Sequence, residues 1–228
     1  MKELAIIVPV YNEQTNIHKF ISEWINVLSN DVFDLILIND GSTDSTAHIV
    51  KNFNYTNLHI INKKNEGHGP TILHGYFYAI KKNYDFIFQV DSDNQFSKED
   101  FFKIWESRKQ KYDIICGSRY NRNDPLIRVF LTKFILRPIL FILFGKIIID
   151  PNVPFRLMNR EFLLDFTKKC NLNSLAPNIL MSIYAKKILN FKTQHFMNTN
   201  SSSQWSFRKL LKFCSKLFFE IINFRFKL

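Results

Sequence analysis

The sequence predicts an α/β fold in which a mostly parallel β-sheet is flanked by helices. Short runs of Ile, Val and Leu alternate with segments of helical periodicity through the first half of the chain. The connections between these segments are short, which favours right-handed crossovers and parallel strands. The 228 residues contain no internal repeat and no low-complexity linker, so they suffice for one substantial core with an appendage.

The first three strands are predicted at residues 4–10, 35–39 and 58–62, each followed by a helix. The helix after the first strand carries apolar residues at helical spacing, namely Ile17, Phe20, Ile21, Trp24 and Leu28. The second strand leads into a turn at 40–45 that is rich in helix-capping residue types. The third strand is followed by the loop 63–70 and by a helix that carries Ile72, Leu73, Tyr76 and Ile80.

The fourth predicted strand is the most informative segment, because this largely apolar run stops at two carboxylates. Asp91 and Asp93 follow it directly, at the carboxyl end of a sheet where open α/β folds bind ligands. Residues i and i+2 of an extended segment point the same way, so both acids can converge on one hard cation, or on a cation and a ribose hydroxyl. This geometry suits a nucleotide-diphosphate substrate. The simpler alternative is an acidic turn that caps the next helix.

A helix is predicted at 98–109 and a strand at 113–117, before an apolar stretch at 126–149. Four basic residues and one proline interrupt that stretch: Arg128, Lys133, Arg137, Lys146 and Pro138. Its longest uncharged piece, 138–145, is far shorter than the roughly 18 residues that a membrane span needs. We therefore expect one or two helices inserted in a domain of residues 1–204, lying on a membrane surface or packed on that domain.

The tail at 205–228 is predicted to be a basic amphipathic helix. Its apolar face consists of Phe207, Leu210, Leu211, Cys214, Leu217, Phe218, Ile221 and Ile222. Its polar face carries Arg208, Lys209, Lys212, Lys216 and Glu220. Such a helix can anchor a protein in a membrane interface, and it can equally pack on its own domain, since amphipathicity alone does not separate the two.

Charge is distributed unevenly along the chain. Residues 1–120 carry 13 Lys and Arg against 15 Asp and Glu, whereas residues 121–228 carry 18 against 5. The second half, with a net charge of +13, therefore needs an anionic partner: nucleic acid, phospholipid or a phosphorylated substrate. The chain has no Walker loop, no dinucleotide-binding glycine motif and no recognisable nucleic-acid motif, so we expect no nucleic-acid partner.

The cysteines and the amino terminus favour a reducing compartment. Cys116, Cys170 and Cys214 are odd in number and too widely spaced to resemble a zinc site, so we expect buried thiols. The chain enters its first strand directly, without the pattern of a secretory signal. The expected location is the cytoplasm, with peripheral association at the inner face of a membrane.

Five motifs resemble, in order, those of the family 2 glycosyltransferases, and within that family they are most similar to the dolichol-phosphate mannosyltransferase and polyprenyl-phosphate glycosyltransferase branch. The motifs are Val-Pro-Val-Tyr-Asn-Glu at 8–13, Asn-Asp-Gly-Ser-Thr-Asp at 39–44, Asn-Glu-Gly-His-Gly at 65–69, Asp-Ser-Asp-Asn-Gln at 91–95 and Gly-Ser-Arg-Tyr at 117–120. The resemblance implies a GT-A fold, a nucleotide-sugar donor, a divalent metal, Mg²⁺ or Mn²⁺, and inversion at the anomeric carbon.

The resemblance also implies roles for individual residues. Those expected to bind the nucleotide sugar are Pro9, Tyr11, Glu13, Asp40, Gly69 and Asp91, and the expected metal ligands are Asp91, Asp93 and Gln95. Arg119, Arg128, Thr132 and Arg156 are expected to hold the phosphates of donor and acceptor, for which the planar fork of arginine is suited. The expected catalytic residues are Asp93, Arg119 and Asp150.

Simpler interpretations exist for several of these residues. Glu13 could interact with a helix dipole. Asp44 is expected to cap the second helix, while Asp40 binds nucleotide. Gly67 and Gly69 are expected to allow a close loop conformation, and His68 between them is as compatible with the surface as with a ligand site.

The expected reaction is transfer of one sugar to a polyprenyl phosphate, since the Gln-x-x-Arg-Trp motif of processive synthases is absent. A phosphate acceptor is already ionised and needs no base, so Asp150 would orient its neighbours. For the alternative, a hydroxyl of a polysaccharide or glycolipid, a carboxylate such as Asp150 must take the proton. Segment 150–156 lacks the glycine of the polyprenyl-phosphate branch, and segment 198–203 lacks its arginine and its glycine-serine pair.

A noncatalytic nucleotide-binding or nucleic-acid-binding module is the alternative from another functional class.

Overall fold

The computed structural model describes residues 3–27, 33–120, 130–196 and 207–228. Its strands are β1 Leu4–Val10, β2 Phe33–Asn39, β3 Leu58–Asn62, β4 Phe86–Gln89, β5 Ile114–Tyr120, β6 Arg156–Asn159 and β7 Ile188–Gln194. Its α-helices are α1 Ile17–Val27, α2 Thr46–Lys51, α3 His68–Lys81, α4 Lys98–Glu106, α5 Arg137–Phe144, α6 Arg160–Lys169, α7 Pro177–Tyr184 and α8 Phe207–Arg225. A 3₁₀ turn at Ser107–Gln110 extends α4, and a π-helical turn at Leu131–Leu136 precedes α5.

The strands form one sheet in the order β3-β2-β1-β4-β6-β5-β7. β1 pairs in parallel with both β2 and β4, and β2 pairs in parallel with β3. These four strands therefore end at the same edge of the sheet. β6 is antiparallel to both of its neighbours, whereas β5 and β7 are parallel to each other. The predicted mostly parallel sheet is confirmed, and β6 and β7 are strands that the sequence analysis did not predict.

The core lies on both faces of the sheet. All seven residues of β1 and all seven of β2 are buried, as expected for parallel strands covered on each face. An aromatic cluster fills the space between the sheet and helices α1 and α4. Trp24 and Phe88 each lie edge-on or tilted against Phe101, with ring centroids 5.5 and 5.0 Å away.

The stretch 130–149 forms short helices, and many of its apolar side chains are exposed. Pro138 lies in the first turn of α5, directly after the π-helical turn, and it has no N–H to donate within the helix. The exposed residues include Phe130, Phe134, Phe141, Ile142 and Ile147. Among the described helices, none combines the length and the apolar character needed to cross a membrane.

Helix α8 packs on the domain through its carboxyl half. Leu217, Ile221 and Phe224 are buried, and the Phe224 ring contacts Phe166 and Tyr184 at centroid distances of 6.2 and 6.5 Å. Residues 208–216, in contrast, contain no buried side chain. Of the two alternatives for the tail, packing therefore describes its carboxyl half, while its basic amino half remains accessible.

Candidate active site

Loops that follow β1 and β2 interlock at the carboxyl edge of the sheet. Asn12 adopts a left-handed conformation, with φ of 54°, and its side-chain oxygen accepts a hydrogen bond from the Thr43 amide at 2.8 Å. The Asn12 amide donates to the Ser42 hydroxyl at 3.0 Å, and the Glu13 amide donates to the Thr46 hydroxyl at 2.8 Å. The first two motifs of the sequence thus form one rigid rim.

Asp40 fixes the loop that follows β3. Its Oδ1 accepts from Lys63 Nζ at 2.6 Å and from the Glu66 amide at 2.9 Å, and its Oδ2 accepts from the Gly67 amide at 2.9 Å. Burial opposes ionisation, but these bonds together with one from the Thr71 hydroxyl hold the pKa of Asp40 below its usual value. The structure thus shows Asp40 bracing the loop 63–67, and its predicted contact with the nucleotide would have to share these oxygens.

Asp44 lies at the start of α2. Its Oδ1 accepts from the Thr46 amide at 2.9 Å, and its Oδ2 accepts from the Gln14 amide at 3.2 Å. The carboxylate therefore serves the first turn of α2 and the rim, as the alternative interpretation of this turn expected.

Three carboxylates crowd together beyond the end of β4. Burial, the charge of Asp91 and the charge of Glu13 raise the pKa of Asp93 to about 7. Burial, followed by Asp91 and Asp44, also raises the pKa of Glu13, although a hydrogen bond from Asn16 opposes this. The shifts show an excess of negative charge at this point, which a bound cation would relieve.

His68 faces this acidic cluster. Its Nε2 lies 3.1 Å from Asp91 Oδ1, and its side chain is 55% exposed. Partial desolvation of the ring lowers the pKa of His68, but the charges of Asp91, Asp93 and Asp40 outweigh that effect and raise it overall. The sequence left the position of His68 open, and the structure places it in the candidate site.

The turn 93–95 is tied to the end of β7. The Gln95 amide donates to Asp93 Oδ1 at 3.3 Å, and Gln95 Nε2 donates to the Phe196 carbonyl at 3.0 Å. The side-chain oxygen of Gln95 is the atom that a metal would need. Within the described ranges, no group of three or more His, Cys, Asp and Glu side chains has the arrangement of a metal site. Asp91, Asp93 and Gln95 stay the predicted metal ligands, and so small a set of protein ligands suits an ion completed by substrate phosphates.

Arg119, near the end of β5, and Asp150, after α5, form a two-pronged ion pair. Arg119 Nε and Nη2 donate to the two oxygens of Asp150, each at 2.8 Å. The side chain of Asp150 is 4% exposed and that of Arg119 is 12% exposed. The sequence predicted both as catalytic residues. The structure brings them together as one pair, in which Arg119 donates to both carboxylate oxygens of Asp150.

Arg156 lies where an acceptor does not reach it. Its exposure is 0%, and its guanidinium donates to the carbonyls of Val153, Asn178 and Pro151 at 2.8, 2.9 and 3.2 Å. These bonds hold the segment 151–153 against α7. The predicted contact of Arg156 with a phosphate does not fit this burial, and we assign the residue a structural role.

Close backbone packing also explains why a glycine occupies position 69. A Cβ at this position would overlap the carbonyl oxygen of Ser174 and would lie 2.8 Å from that of Leu175. Gly69 is buried in the first turn of α3. Its small size therefore permits close backbone packing, rather than the approach of the donor that the sequence suggested. Gly67, with φ of 95°, supplies the left-handed conformation before α3.

The remaining predicted residues lie at the rim or outside the described part of the chain. Tyr11 is 47% exposed directly after β1, whereas Pro9 is buried within that strand. Thr132 lies in the π-helical turn and is partly buried. Arg128 falls outside the described residues.

Two residues near the site were not predicted. Lys63 binds Asp40, and His195 lies beside the acidic loop, because a bridge pairs Phe96 with His195 and their rings are 5.4 Å apart. Lys63 lies in the predicted loop 63–70, and its residue type alone indicated no role there. His195 follows a strand whose polar residues, such as Asn190 and Lys192, concealed it from pattern analysis.

Comparisons with known proteins bear on the family and on the fold. The family model described as Glycosyl transferase family 2 matches residues 5–173. Glucosyl-3-phosphoglycerate synthase from Mycobacterium tuberculosis, in complex with Mn²⁺, uridine-diphosphate and glucosyl-3-phosphoglycerate, is 13% identical with a TM-score of 0.69, over 98% of this chain and 80% of that chain. Its complex with Mn²⁺ and uridine-diphosphate-glucose is 14% identical with a TM-score of 0.68, over 98% and 79%.

A second similar structure is S. aureus TarS 1-349. It is 21% identical with a TM-score of 0.61, and the match covers 97% of this chain and 66% of that chain. At these identities the likeness establishes a shared fold. The predicted GT-A architecture is thereby confirmed.

Proposed function

The chain belongs to glycosyl transferase family 2, and from that premise we propose that it transfers one sugar, with inversion, from a nucleotide-diphosphate sugar to a polyprenyl phosphate at the cytoplasmic face of a membrane. The chain is a glycosyltransferase, and the lipid phosphate and the membrane are the proposed parts. Support comes from the acidic cluster, from the Arg119–Asp150 pair and from an exposed apolar surface.

Asp91 and Asp93 would hold a divalent cation, Mg²⁺ or Mn²⁺. Burial and the neighbouring charge of Asp91 raise the pKa of Asp93, and a bound cation would offset both effects. The bound ion would neutralise charge on the nucleoside-diphosphate leaving group. The mycobacterial synthase binds Mn²⁺ together with uridine-diphosphate, which supports the same use here.

The nucleotide would lie against the rim formed by the first two loops. Tyr11 offers an exposed ring there, and Glu13 lies between the rim and the acidic cluster. Asp40 would act mainly by fixing the loop 63–67 beneath the nucleotide. His68 would contribute a positive charge near the diphosphate, because it already faces Asp91.

The Arg119–Asp150 pair is the observation that favours a phosphate acceptor over a hydroxyl. A hydroxyl acceptor needs a base, and the carboxylate of Asp150 is already engaged, because each of its oxygens accepts a hydrogen bond from Arg119 in a nearly buried pair. A phosphate acceptor arrives ionised and needs no such base. Arg119 is also a fork-shaped cation at the same edge of the sheet as the acidic loop, where it can attract an anion.

The proposed membrane contact is an apolar surface, defined here as Phe130, Phe134, Phe141, Ile142 and Ile147, and its occupant is an anionic lipid bilayer. The exposures of these side chains range from 55% to 85%. Arg225 of α8 lies over the ring of Phe144, at 5.7 Å from its centroid, so the end of α8 adjoins α5. The exposed basic residues of α8, Arg208, Lys209, Lys212 and Lys216, add positive charge, which is complementary to anionic headgroups.

The test is release of nucleoside diphosphate from a panel of UDP- and GDP-sugars with Mn²⁺, with and without polyprenyl phosphate. We expect release that depends on the lipid phosphate, that is lost in Asp93→Asn and that survives in Asp85→Asn, a control at an exposed aspartate before β4. Full activity of Asp93→Asn would overturn the metal site. Donor turnover without lipid stimulation would move the acceptor to a hydroxyl, and no donor binding at all would favour a noncatalytic module.

A further inference from the structure

Helix α8 is connected to the candidate active site through one carboxylate. We propose that Glu220 is a positioning residue: by holding the backbone of Leu175, it fixes the first turn of α3 and with it His68 and the loop that binds the donor. This inference rests on the proposed use of that site for a nucleotide sugar. The connection consists of one hydrogen bond from backbone to side chain and one contact between backbones.

The first contact joins α8 to the turn before α7. The Leu175 amide donates to Glu220 Oε2 at 3.1 Å. Glu220 is the sole acidic residue of α8 and lies beside the buried Ile221. Its Oε1 is buried and has no hydrogen-bond partner among the described residues. Burying a carboxylate oxygen without a hydrogen-bond partner costs free energy. The bond from the Leu175 amide is therefore the evident structural reason for an acidic residue at this position.

The second contact joins that turn to α3. The carbonyls of Ser174 and Leu175 pack directly on Gly69, where even a Cβ would overlap them. No side chain lies between the two backbones at this point. A displacement of 174–175 therefore moves the first turn of α3, because close-packed backbone has no soft contact to absorb it.

The first turn of α3 carries two contacts of the candidate active site. The Gly67 amide, just before α3, binds Asp40 Oδ2 at 2.9 Å, and His68 Nε2 lies 3.1 Å from Asp91 Oδ1. Both carboxylates belong to loops at the carboxyl edge of the sheet. The packing of α8 on the domain is thus linked by direct contacts to the residues proposed to surround the diphosphate.

The test compares three substitutions at Glu220. Glu220→Gln keeps a side-chain oxygen that can accept from Leu175, whereas Glu220→Met has similar length and no such acceptor. Glu220→Asp keeps the charge but withdraws the carboxylate by one methylene. It replaces Glu220→Met in the comparison if the methionine variant does not fold. We expect the KM for the nucleotide sugar to rise about tenfold in Glu220→Met, with kcat less affected, and to stay near the wild-type value in Glu220→Gln.

Ile221→Val is the matched control, because it loosens the same buried face of α8 without touching the Leu175 bond. Amide hydrogen exchange over residues 66–72 gives a second readout, which we expect to quicken in Glu220→Met and not in Ile221→Val. Unchanged donor KM and exchange in Glu220→Met, or equal changes in Ile221→Val, would overturn the inference. If the wild-type protein neither binds nor turns over any donor, the proposed function fails, while the exchange comparison still decides whether Glu220 holds α3.

Discussion

At the scale of single residues, the acidic cluster has a consequence for stability when metal is absent. The folded pKa of Asp93, about 7, lies above its unfolded value of 3.8. Between these values the folded protein binds more protons than the unfolded chain, so this residue makes stability fall as the pH rises from about 4 to 7. The native state therefore carries a repulsion at neutral pH that it lacks in acid.

We expect Asp93→Asn to stabilise the metal-free protein at pH 8, by about 1 kcal/mol or more, since one pKa unit corresponds to about 1.4 kcal/mol. The gain should disappear below pH 4, where Asp93 is protonated in both states. Urea unfolding in EDTA at the two pH values measures both effects. Mn²⁺ should raise the melting temperature of the wild-type protein more than that of Asp93→Asn, and equal shifts would argue against binding at this carboxylate.

Arg156 illustrates how burial changes the meaning of an arginine. Arg156→Met would leave the Val153 carbonyl without its donor and would remove one of the donors to the carbonyls of Asn178 and Pro151, which also accept from the Ser182 hydroxyl. An unsatisfied buried acceptor typically costs about 1–3 kcal/mol and a lost hydrogen bond from a charged donor costs a similar amount, so we expect a loss of roughly 2–4 kcal/mol in the free energy of unfolding. Lys168→Met, at an exposed position of α6, should change stability little.

Kinetics of the same two variants separate structure from ligand binding. Below the melting transition, the KM of Arg156→Met for the acceptor should match that of the wild-type protein. A large rise in that KM without loss of stability would restore the phosphate-binding role predicted from the sequence.

At the scale of secondary-structure elements, the junction of α3 with the 174–175 turn is the tightest constraint in the site. Gly69→Ala would place a methyl group against two carbonyl oxygens, which are backbone atoms and cannot rotate away. We expect a loss of about 2 kcal/mol or more, or failure to fold, because overpacking typically costs 1–3 kcal/mol. Gly145→Asn, at a position with φ of 64° and open space around it, should be nearly neutral in thermal melting.

The two sides of α8 should respond differently to truncation. Phe224 is 3% exposed and Phe219 is 61% exposed on the same helix. Phe224→Ala should reduce the free energy of unfolding by about 3–5 kcal/mol, whereas Phe219→Ala should cost little. Chemical denaturation of both variants measures the difference. Similar small losses at both positions would mean that α8 does not seat on the domain.

At the scale of the whole molecule, exposed apolar side chains and positive charge lie together in the second half of the chain. We expect the protein to sediment with anionic vesicles and to be released as salt is raised, since the charge contribution is screened. Phe134→Glu combined with Ile142→Glu should weaken binding by roughly tenfold or more, because each apolar side chain contributes about 1.5–3 kcal/mol when buried.

Phe102→Glu, an exposed phenylalanine on α4, is the control for a new negative charge outside the apolar surface. Charge reversal at Lys209 and Lys212 tests the amino half of α8 without disturbing its packed half. Vesicle binding that is unaffected by the double substitution would exclude the apolar surface as the membrane contact, and retention by neutral and anionic vesicles alike would exclude the charge contribution.

The sequence by itself determined the parallel half of the fold and the location of the chemistry. Leu4–Val10 and Leu58–Asn62 are strands with the predicted limits. A short apolar run between polar turns is too short for most helices and is most readily buried as a strand. Parallel strands bring the loops after them to one edge, so Asp40, Asp91 and Asp93 could be placed together without a structure. These inferences depend on neighbours in the chain and on the geometry of a strand.

Tertiary structure alone decided which charged side chains are available to a ligand. Arg119 and Arg156 look alike in the sequence, yet one pairs with Asp150 and the other is enclosed by carbonyl groups. The antiparallel β6 and the edge strand β7 were also invisible, since four residues such as Arg156–Asn159 carry too little pattern. Burial and pairing arise from residues far apart in the chain, and spacing along the sequence does not encode those distances.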